Sequence, residues 1–175
     1  MMRPILLALS LASLSCATAG AGPSSPADIT VRLQASDGRA VGTAVLHQSS
    51  QAVTIRFRLT DLPAGPHGAH VHAVGRCDPP AFTTAGGHLN PMQRKHGHRS
   101  PDGWHLGDLA NIIVAADGRA DTTITVADAT LAAGSRSLLG PDGRTALVLH
   151  EKADDEMTDP SGNAGARIAC GVIQR

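Results

Sequence analysis

Short runs of alternating apolar and polar residues recur along the chain. In DITVRLQ the apolar positions are Ile29, Val31 and Leu33, and AVTIRFRL repeats the same period at 52–59. Four further short runs are rich in β-branched and aliphatic residues: TAVLHQ, LANIIVAA, ADTTITVA and TALVLH. A period of two residues puts alternate side chains on opposite faces of a strand, so each run predicts a short β-strand.

Tight turns separate these runs. The tripeptide Asp-Gly-Arg occurs at 37–39, 117–119 and 142–144, and glycine enters the positive-φ conformations of such turns without steric penalty. Seven or eight short strands joined by turns, with no long segment of helical period, predict an all-β sandwich or barrel. Two long loops interrupt the strands, at 75–108 and 151–166, and loops of this length on a compact scaffold are commonly functional.

The composition fits one globular unit with an aliphatic core. A chain of 175 residues allows one domain, or at most two small ones. Aromatic residues are scarce, with two Phe, one Trp and no Tyr, so Val, Ile, Leu and Ala must fill the core. The formal net charge is zero and gives no sign of a nucleic-acid or membrane-surface partner.

The N-terminus has the pattern of an export signal. Arg3 precedes the apolar run ILLALSLASLS, which is too short to cross a bilayer comfortably. Small residues then allow cleavage near Ala19 or Ala21, so we interpret residues 1–21 as a signal peptide and 22–27 as a short flexible lead. The alternative is an envelope lipoprotein anchored through Cys16, although the residues before that cysteine lack the leucine of a usual lipobox.

If Cys16 leaves with the signal, two cysteines remain, Cys77 and Cys170. An even count in an exported protein favours one disulfide. Two unrelated buried thiols are the alternative.

Histidines cluster in the segment HGAHVH at 67–72. Because side chains alternate along a strand, His70 and His72 point to the same face, and neutral imidazoles in this pattern suit copper or zinc. A solvated polar strand face is the alternative. The downstream candidates make two metal sites possible: His88, His96, His105, Asp108 and His150.

Several motifs resemble the copper/zinc superoxide dismutase family: GPHGAHVHAVGRCD, GGHLNP, RKHG, HLGDLANI, LVLHEKADD and GNAGARIACGVI. They occur in family order from about residue 28 to the C-terminus. The resemblance implies an eight-stranded antiparallel Greek-key β-barrel, or sandwich, over residues 28–175, with two long functional loops. The position of Cys77, five residues after His72, resembles that of bacterial secreted members.

The resemblance also implies the site residues. It assigns copper to His70, His72, His88 and His150, and zinc to His88, His96, His105 and Asp108, so that His88 bridges the two metals. It implies that Asp154 links a copper ligand to a zinc ligand, and that Cys77 and Cys170 form the disulfide. It makes His67 a structural residue that hydrogen-bonds backbone. We expect His98 to be a solvated loop residue and His47 a surface residue.

The implied reaction is the disproportionation of superoxide to dioxygen and hydrogen peroxide, with copper cycling between its two oxidation states. His88 and Arg167 are the predicted catalytic residues: His88 supplies a proton, and Arg167 attracts the anionic substrate. Arg94, Lys95 and Arg99 are further candidates for attracting the anion, because the loop at 151–166 is rich in acids.

The same resemblance predicts export to a bacterial periplasm, protection of the cell envelope from superoxide, and a possible homodimer. We expect no nucleic-acid partner, and membrane attachment only through lipidation at Cys16. Two other classes compete with an active enzyme: a family member that binds metal without catalysis, and a zinc-stabilised domain that binds partners. The presence of every ligand position and of Arg167 argues against both.

Overall fold

The computed structural model describes residues 27–175. The predicted signal peptide, Cys16 and nearly all of the predicted lead lie outside these residues. Nine strands occur in the described part: β1 Ile29–Ala35, β2 Ala40–Gln48, β3 Ala52–Leu59, β4 Gly65–His67, β5 Ala69–His72, β6 Ile112–Val114, β7 Ala120–Ala127, β8 Arg144–His150 and β9 Arg167–Gln174. One short 3-10 helix, Thr83–Ala85, is the only helix there, and the all-β prediction is confirmed.

The strand count agrees with the predicted eight when β4 and β5 are taken as one interrupted strand. Only Gly68 separates them. The amide of Gly68 donates to Lys152 O at 2.8 Å, and a Cβ there would lie 3.0 Å from the Cβ of Ala164. Gly68 therefore lets the loop at 151–166 approach the strand closely.

Seven strands form one antiparallel sheet in the order β5-β8-β9-β1-β2-β3-β7. The strand β4 pairs with β6 in a separate ladder, and β6 in turn contacts β7. Since β4 leads into β5, this ladder spans the gap between the two edges of the large sheet. Neighbouring strands that are distant in sequence, such as β3 with β7 and β1 with β9, give the connectivity of a Greek key.

The core lies inside the curled sheet. The alternate positions Val31, Leu33, Val53, Ile55 and Phe57 are fully buried, as the period of two predicted. A second, smaller apolar cluster comprises Phe82, Ala85, Ala146, Val148 and Cys170, with Cys77 packed against it. We call it the small cluster. Strand β8 contributes to both, because Leu147 and Leu149 belong to the main core.

Each predicted Asp-Gly-Arg turn has its glycine at positive φ: 84° at Gly38, 78° at Gly118 and 73° at Gly143. The first and second turns connect β1 to β2 and β6 to β7, and the third precedes β8. This geometry explains why glycine stands at the centre of all three.

The disulfide between Cys77 and Cys170 is present, as predicted, and joins residues 93 apart in sequence. It ties the loop after β5 to the middle of β9. Within residues 27–175, no helix has the length and apolar character needed to cross a membrane.

Candidate metal centre

Strands β5 and β8 position three histidines beside one another. His70 and His72 lie on one face of β5 and are almost fully buried, while Ala69 and Val71 point into the core. His150 ends β8, the antiparallel neighbour of β5, where the pairing of β8 with β9 shifts register. His88 comes from the loop at 75–108, and its backbone pairs antiparallel with that of His72.

One ring nitrogen from each of these histidines lies within 4.8 Å of those of the other three. We call this group the four-histidine cluster: His70, His72, His88 and His150.

Backbone carbonyls fix the orientation of two of these rings. Nδ1 of His72 donates to Gly86 O at 2.8 Å, and Nδ1 of His150 donates to Gly165 O at 3.2 Å. A carbonyl oxygen can only accept, so in both rings the proton is on Nδ1 and Nε2 presents a lone pair.

These lone pairs have no partner in the protein. Buried side-chain nitrogens without a hydrogen bond, among the described residues, are His70 Nδ1, His72 Nε2, His88 Nε2, His96 Nδ1 and His150 Nε2. All five belong to the predicted metal-binding histidines. Buried polar atoms are normally hydrogen-bonded, and several unpaired imidazole nitrogens gathered together form a donor set that suits copper.

A second group surrounds the carboxylate of Asp108, and we call it the mixed cluster: His88, His96, His105 and Asp108. Asp108 Oδ1 lies 2.9 Å from His88 Nδ1 and 3.1 Å from His105 Nδ1. Asp108 Oδ2 lies 3.2 Å from His96 Nδ1. Ligands about 2.0–2.1 Å from a tetrahedral zinc ion are separated by about 3.3 Å. Three imidazole nitrogens and the carboxylate of Asp108 at such separations therefore fit zinc.

Asp154 connects the two clusters. Its Oδ2 accepts from His70 Nε2 at 2.8 Å, and its Oδ1 accepts from His96 Nε2 at 2.9 Å. These bonds put a proton on Nε2 of both rings, so Nδ1 is the atom of each ring that can bind a metal. A buried carboxylate of this kind fixes the tautomer and the orientation of a ligand.

Sequence reasoning missed Asn111, which holds Asp154 in place. Its side chain donates to Asp154 O and accepts from Asp154 N, both at 2.8 Å. The apolar run LANIIVAA predicted a longer strand here, but β6 covers only Ile112–Val114. A polar residue within that apolar run was the only signal of its role.

Burial keeps three histidines of the four-histidine cluster neutral. Burial and, after it, the charge of a protonated His88 together lower the pKa of His72 to about 2. Burial and the neighbouring His70 lower the pKa of His150 to about 3. Burial lowers the pKa of His88 to about 4, although its bond to Asp108 acts in the opposite direction. Neutral imidazole is the form that binds metal.

The two carboxylates remain anionic. Burial alone would raise the pKa of Asp108 and of Asp154, but the hydrogen bonds from histidines outweigh it and hold both below the ordinary range. Burial acts to lower the pKa of His96, yet the adjacent carboxylates of Asp108 and Asp154 prevail and raise it to about 10. The mixed cluster is therefore built around negative charge, which favours a divalent cation.

A cavity of about 440 Å³ lies over the four-histidine cluster, and its lining includes His72, His88, His150 and Arg167. Arg167 is half-buried at the start of β9. Its Nη1 donates to Phe82 O and its Nη2 to Gly86 O, both at 2.7 Å. The guanidinium is thus held at the wall of a cavity that a small anion can enter.

The other candidate bases lie elsewhere. Arg94, Lys95 and Arg99 are not among the residues that line this cavity. The ammonium of Lys95 pairs with Asp159 at 2.8 Å, so an adjacent negative charge offsets part of its attraction for anions.

The remaining histidines behave as expected. His67 is buried, with its ring nitrogens 2.7 Å from His150 O and 2.8 Å from Pro63 O. His98 is exposed and stacks on Trp104. His47 is exposed and pairs with Asp28 at 2.7 Å.

The barrel, the two clusters and the shared histidine define a binuclear metalloprotein. The family described as copper/zinc superoxide dismutase (SODC) matches residues 40–173. The chain is 42% identical over 138 residues to "Superoxide dismutase [Cu-Zn] 1" of Aquifex aeolicus, covering 78% of this chain and 82% of the relative. It is 39% identical over 148 residues to "Superoxide dismutase [Cu-Zn]" of Caulobacter vibrioides, covering 83% and 84%.

Solved structures give the same picture. A double mutant of a SOD-like protein from Bacillus subtilis superposes with a TM-score of 0.80 at 40% identity, covering 83% of this chain and 97% of that one. The Cu/Zn superoxide dismutase from Brucella abortus gives a TM-score of 0.70 at 28% identity, covering 85% and 100%.

The chain belongs to the copper/zinc superoxide dismutase family. Copper and zinc are the cofactors of this family and superoxide dismutation is its activity, so the resemblance predicted from the motifs is confirmed.

Proposed function

We propose that the protein disproportionates superoxide to dioxygen and hydrogen peroxide in the bacterial cell envelope. The observation that carries this proposal is the set of unpaired ring nitrogens in the four-histidine cluster, beneath a cavity that Arg167 lines. A site for a redox metal and a guanidinium that attracts anions thereby lie beside one cavity.

The four-histidine cluster would hold copper and the mixed cluster would hold zinc, with His88 belonging to both groups. Bound copper supplies one-electron chemistry by cycling between its +2 and +1 states. The donor sets support this division, because four imidazoles suit copper and three imidazoles with one carboxylate suit zinc.

The protein's own residues attract the substrate and supply a proton. Arg167 draws superoxide to the cavity, and its two bonds to carbonyls keep the guanidinium aimed there. His88 would take up a proton from solvent at Nε2 in the first half-reaction and donate it in the second as one of the two protons that hydrogen peroxide needs, and water would supply the other. Electrostatic attraction of a small anion raises the rate at which it meets the protein, and superoxide dismutases are a well-known example of this effect.

Activity after metal loading tests the proposal. Pulse radiolysis of the copper- and zinc-loaded protein should show rapid catalytic loss of superoxide. His96→Ala should lose zinc, whereas His98→Ala, which removes a nearby exposed histidine, should keep both metals and full activity. Full metal occupancy without activity would instead favour a metal-binding family member that is not an enzyme.

Export to a bacterial periplasm is part of the proposal, with residues 1–21 removed as a signal peptide and residues 28–175 forming the enzyme domain. The disulfide supports it, because such bonds persist in oxidising compartments. Mass spectrometry of the mature N-terminus tests it: cleavage near Ala19 or Ala21 is expected, and an acyl chain on Cys16 would establish the lipoprotein alternative.

A further inference from the structure

The two carbonyls that hold Arg167 belong to one short segment, residues 82–86. Phe82 O accepts from Arg167 Nη1, and Gly86 O accepts from Arg167 Nη2. Gly86 O also accepts from His72 Nδ1 at 2.8 Å. The position of this segment therefore sets both the guanidinium and one ring of the four-histidine cluster.

The side chain of Phe82 anchors the segment. Phe82 is only 2% exposed, in the small cluster with Ala146, Val148 and Cys170. Ala146 is paired with His72, and Val148 with His70, across the β5–β8 ladder. Residues paired in this way point to the same side of a sheet. The ring therefore packs on the face of the sheet that carries His70 and His72.

The backbone of Phe82 is also held in one conformation. Its φ of 53° and ψ of 25° are left-handed, a conformation that costs energy for a bulky residue and that glycine would adopt freely. Such a conformation persists only where the surroundings fix it. The amide of Phe82 donates to Asp78 O at 3.1 Å, and its carbonyl also accepts from Ala85 N at 3.1 Å.

We infer that Phe82 is a positioning residue for Arg167. Its ring, locked in the small cluster, fixes where the carbonyls of Phe82 and Gly86 lie, and these carbonyls fix the guanidinium over the cavity. The disulfide joins the same loop five residues earlier, at Cys77, so the ring is the nearer anchor. This inference rests on the proposed role of Arg167.

The test compares Phe82→Ala with Phe82→Leu, which retains a large apolar side chain, and with Leu46→Ala. Leu46 is fully buried in the main core, so its truncation is a matched control for a general loss of stability. We measure kcat/KM per bound copper against ionic strength, and the exchange rate of the Arg167 guanidinium protons by NMR in the metal-free protein.

Phe82→Ala should lower kcat/KM about tenfold, weaken its salt dependence and speed guanidinium exchange, since misplacement by about 1 Å can be costly. Phe82→Leu should largely restore all three properties, and Leu46→Ala should leave them as in the wild type. Wild-type values for Phe82→Ala, or an equal effect of Leu46→Ala, would overturn the inference. If Phe82→Ala does not fold, Phe82→Val replaces it under the same criteria.

Arg167→Ala separates the failure of this inference from that of the proposed function. If Arg167→Ala has wild-type kinetics, the steering role fails, while guanidinium exchange in the wild type and in the Phe82 variants still tests the anchor. If Arg167→Ala is impaired, adding Phe82→Ala should cause little further loss of kcat/KM, because both changes remove the same interaction. Fully additive losses would contradict the coupling.

Discussion

At the scale of single residues, Arg167 is the only arginine or lysine of the described chain that lines the cavity over the four-histidine cluster. We expect Arg167→Ala to lower kcat/KM about tenfold and to flatten its dependence on ionic strength, because charge attraction raises encounter rates. Stopped-flow or pulse-radiolysis rates over a range of salt concentrations measure both effects. Arg99→Ala is the control and should retain the wild-type salt profile; an unchanged profile in Arg167→Ala would exclude its steering role.

Asp154 is the residue on which both clusters depend. In Asp154→Asn an amide NH₂ group replaces one of the two oxygens that accept from His70 and His96, so one ring loses its acceptor. Loss of such a partner commonly weakens metal binding about 10- to 100-fold, and chelator competition for zinc measures the change.

The matched control for this variant is Asp155→Asn. Asp155 is bonded to Thr158 and Asn163 rather than to a histidine, so its change should leave zinc affinity within about twofold of the wild type. Equal zinc affinity in the two variants would show that the link through Asp154 does not support the metal sites.

At the scale of elements, alternation predicted β1 and β3 well because alternate residues of each are buried in the core. Strand β2 was predicted from its β-branched and aliphatic composition, and its burial alternates less strictly. Alternation also placed His70 and His72 together on β5. The strand order could not be obtained from a period of two residues, since periodicity does not specify which strands pair. The Greek-key arrangement and the grouping of His88 with Asp108 came from the family resemblance, and the structure defines the strand order.

Other parts of the site leave no mark in the sequence. The acceptors at Phe82 and Gly86 are backbone carbonyls, which every residue possesses. Their role depends on how the loop at 75–108 folds back over β5, and only the structure defines that path.

The disulfide is the covalent link between this loop and β9. Replacing Cys77 and Cys170 by serine together should lower the free energy of unfolding by about 4–5 kcal/mol on the loop-entropy model, given a separation of 93 residues. Urea unfolding of the variant and the oxidised wild type provides the comparison. A loss below about 1 kcal/mol would mean that the unfolded chain gains little freedom when the bond is absent.

At the scale of the whole molecule, the buried histidines make the metal-free protein sensitive to acid. The pKa values of His72, His88 and His150 lie at about 2, 4 and 3 in the folded state, against 6.5 ordinarily. Between pH 6.5 and about 4 the unfolded state therefore binds more protons, so the free energy of unfolding falls as the pH falls. Each group contributes about 1.4 kcal/mol per pH unit at most.

Urea unfolding of the protein in EDTA at several pH values between 7 and 4.5 measures this slope. His96, with a raised pKa of about 10, is protonated in both states below about pH 6 and adds little to the slope there. His98→Ala should not alter the slope. A stability that is flat over this range would contradict the burial of three neutral imidazoles.

The imidazole of His88 belongs to both clusters, and this has a thermodynamic consequence. Binding at two sites that share a ligand forms a closed cycle, so the factor by which zinc changes the affinity for copper must equal the factor by which copper changes the affinity for zinc. Copper and zinc bound at these clusters would therefore be reciprocal effectors, and a shortage of one metal would change the affinity of the protein for the other.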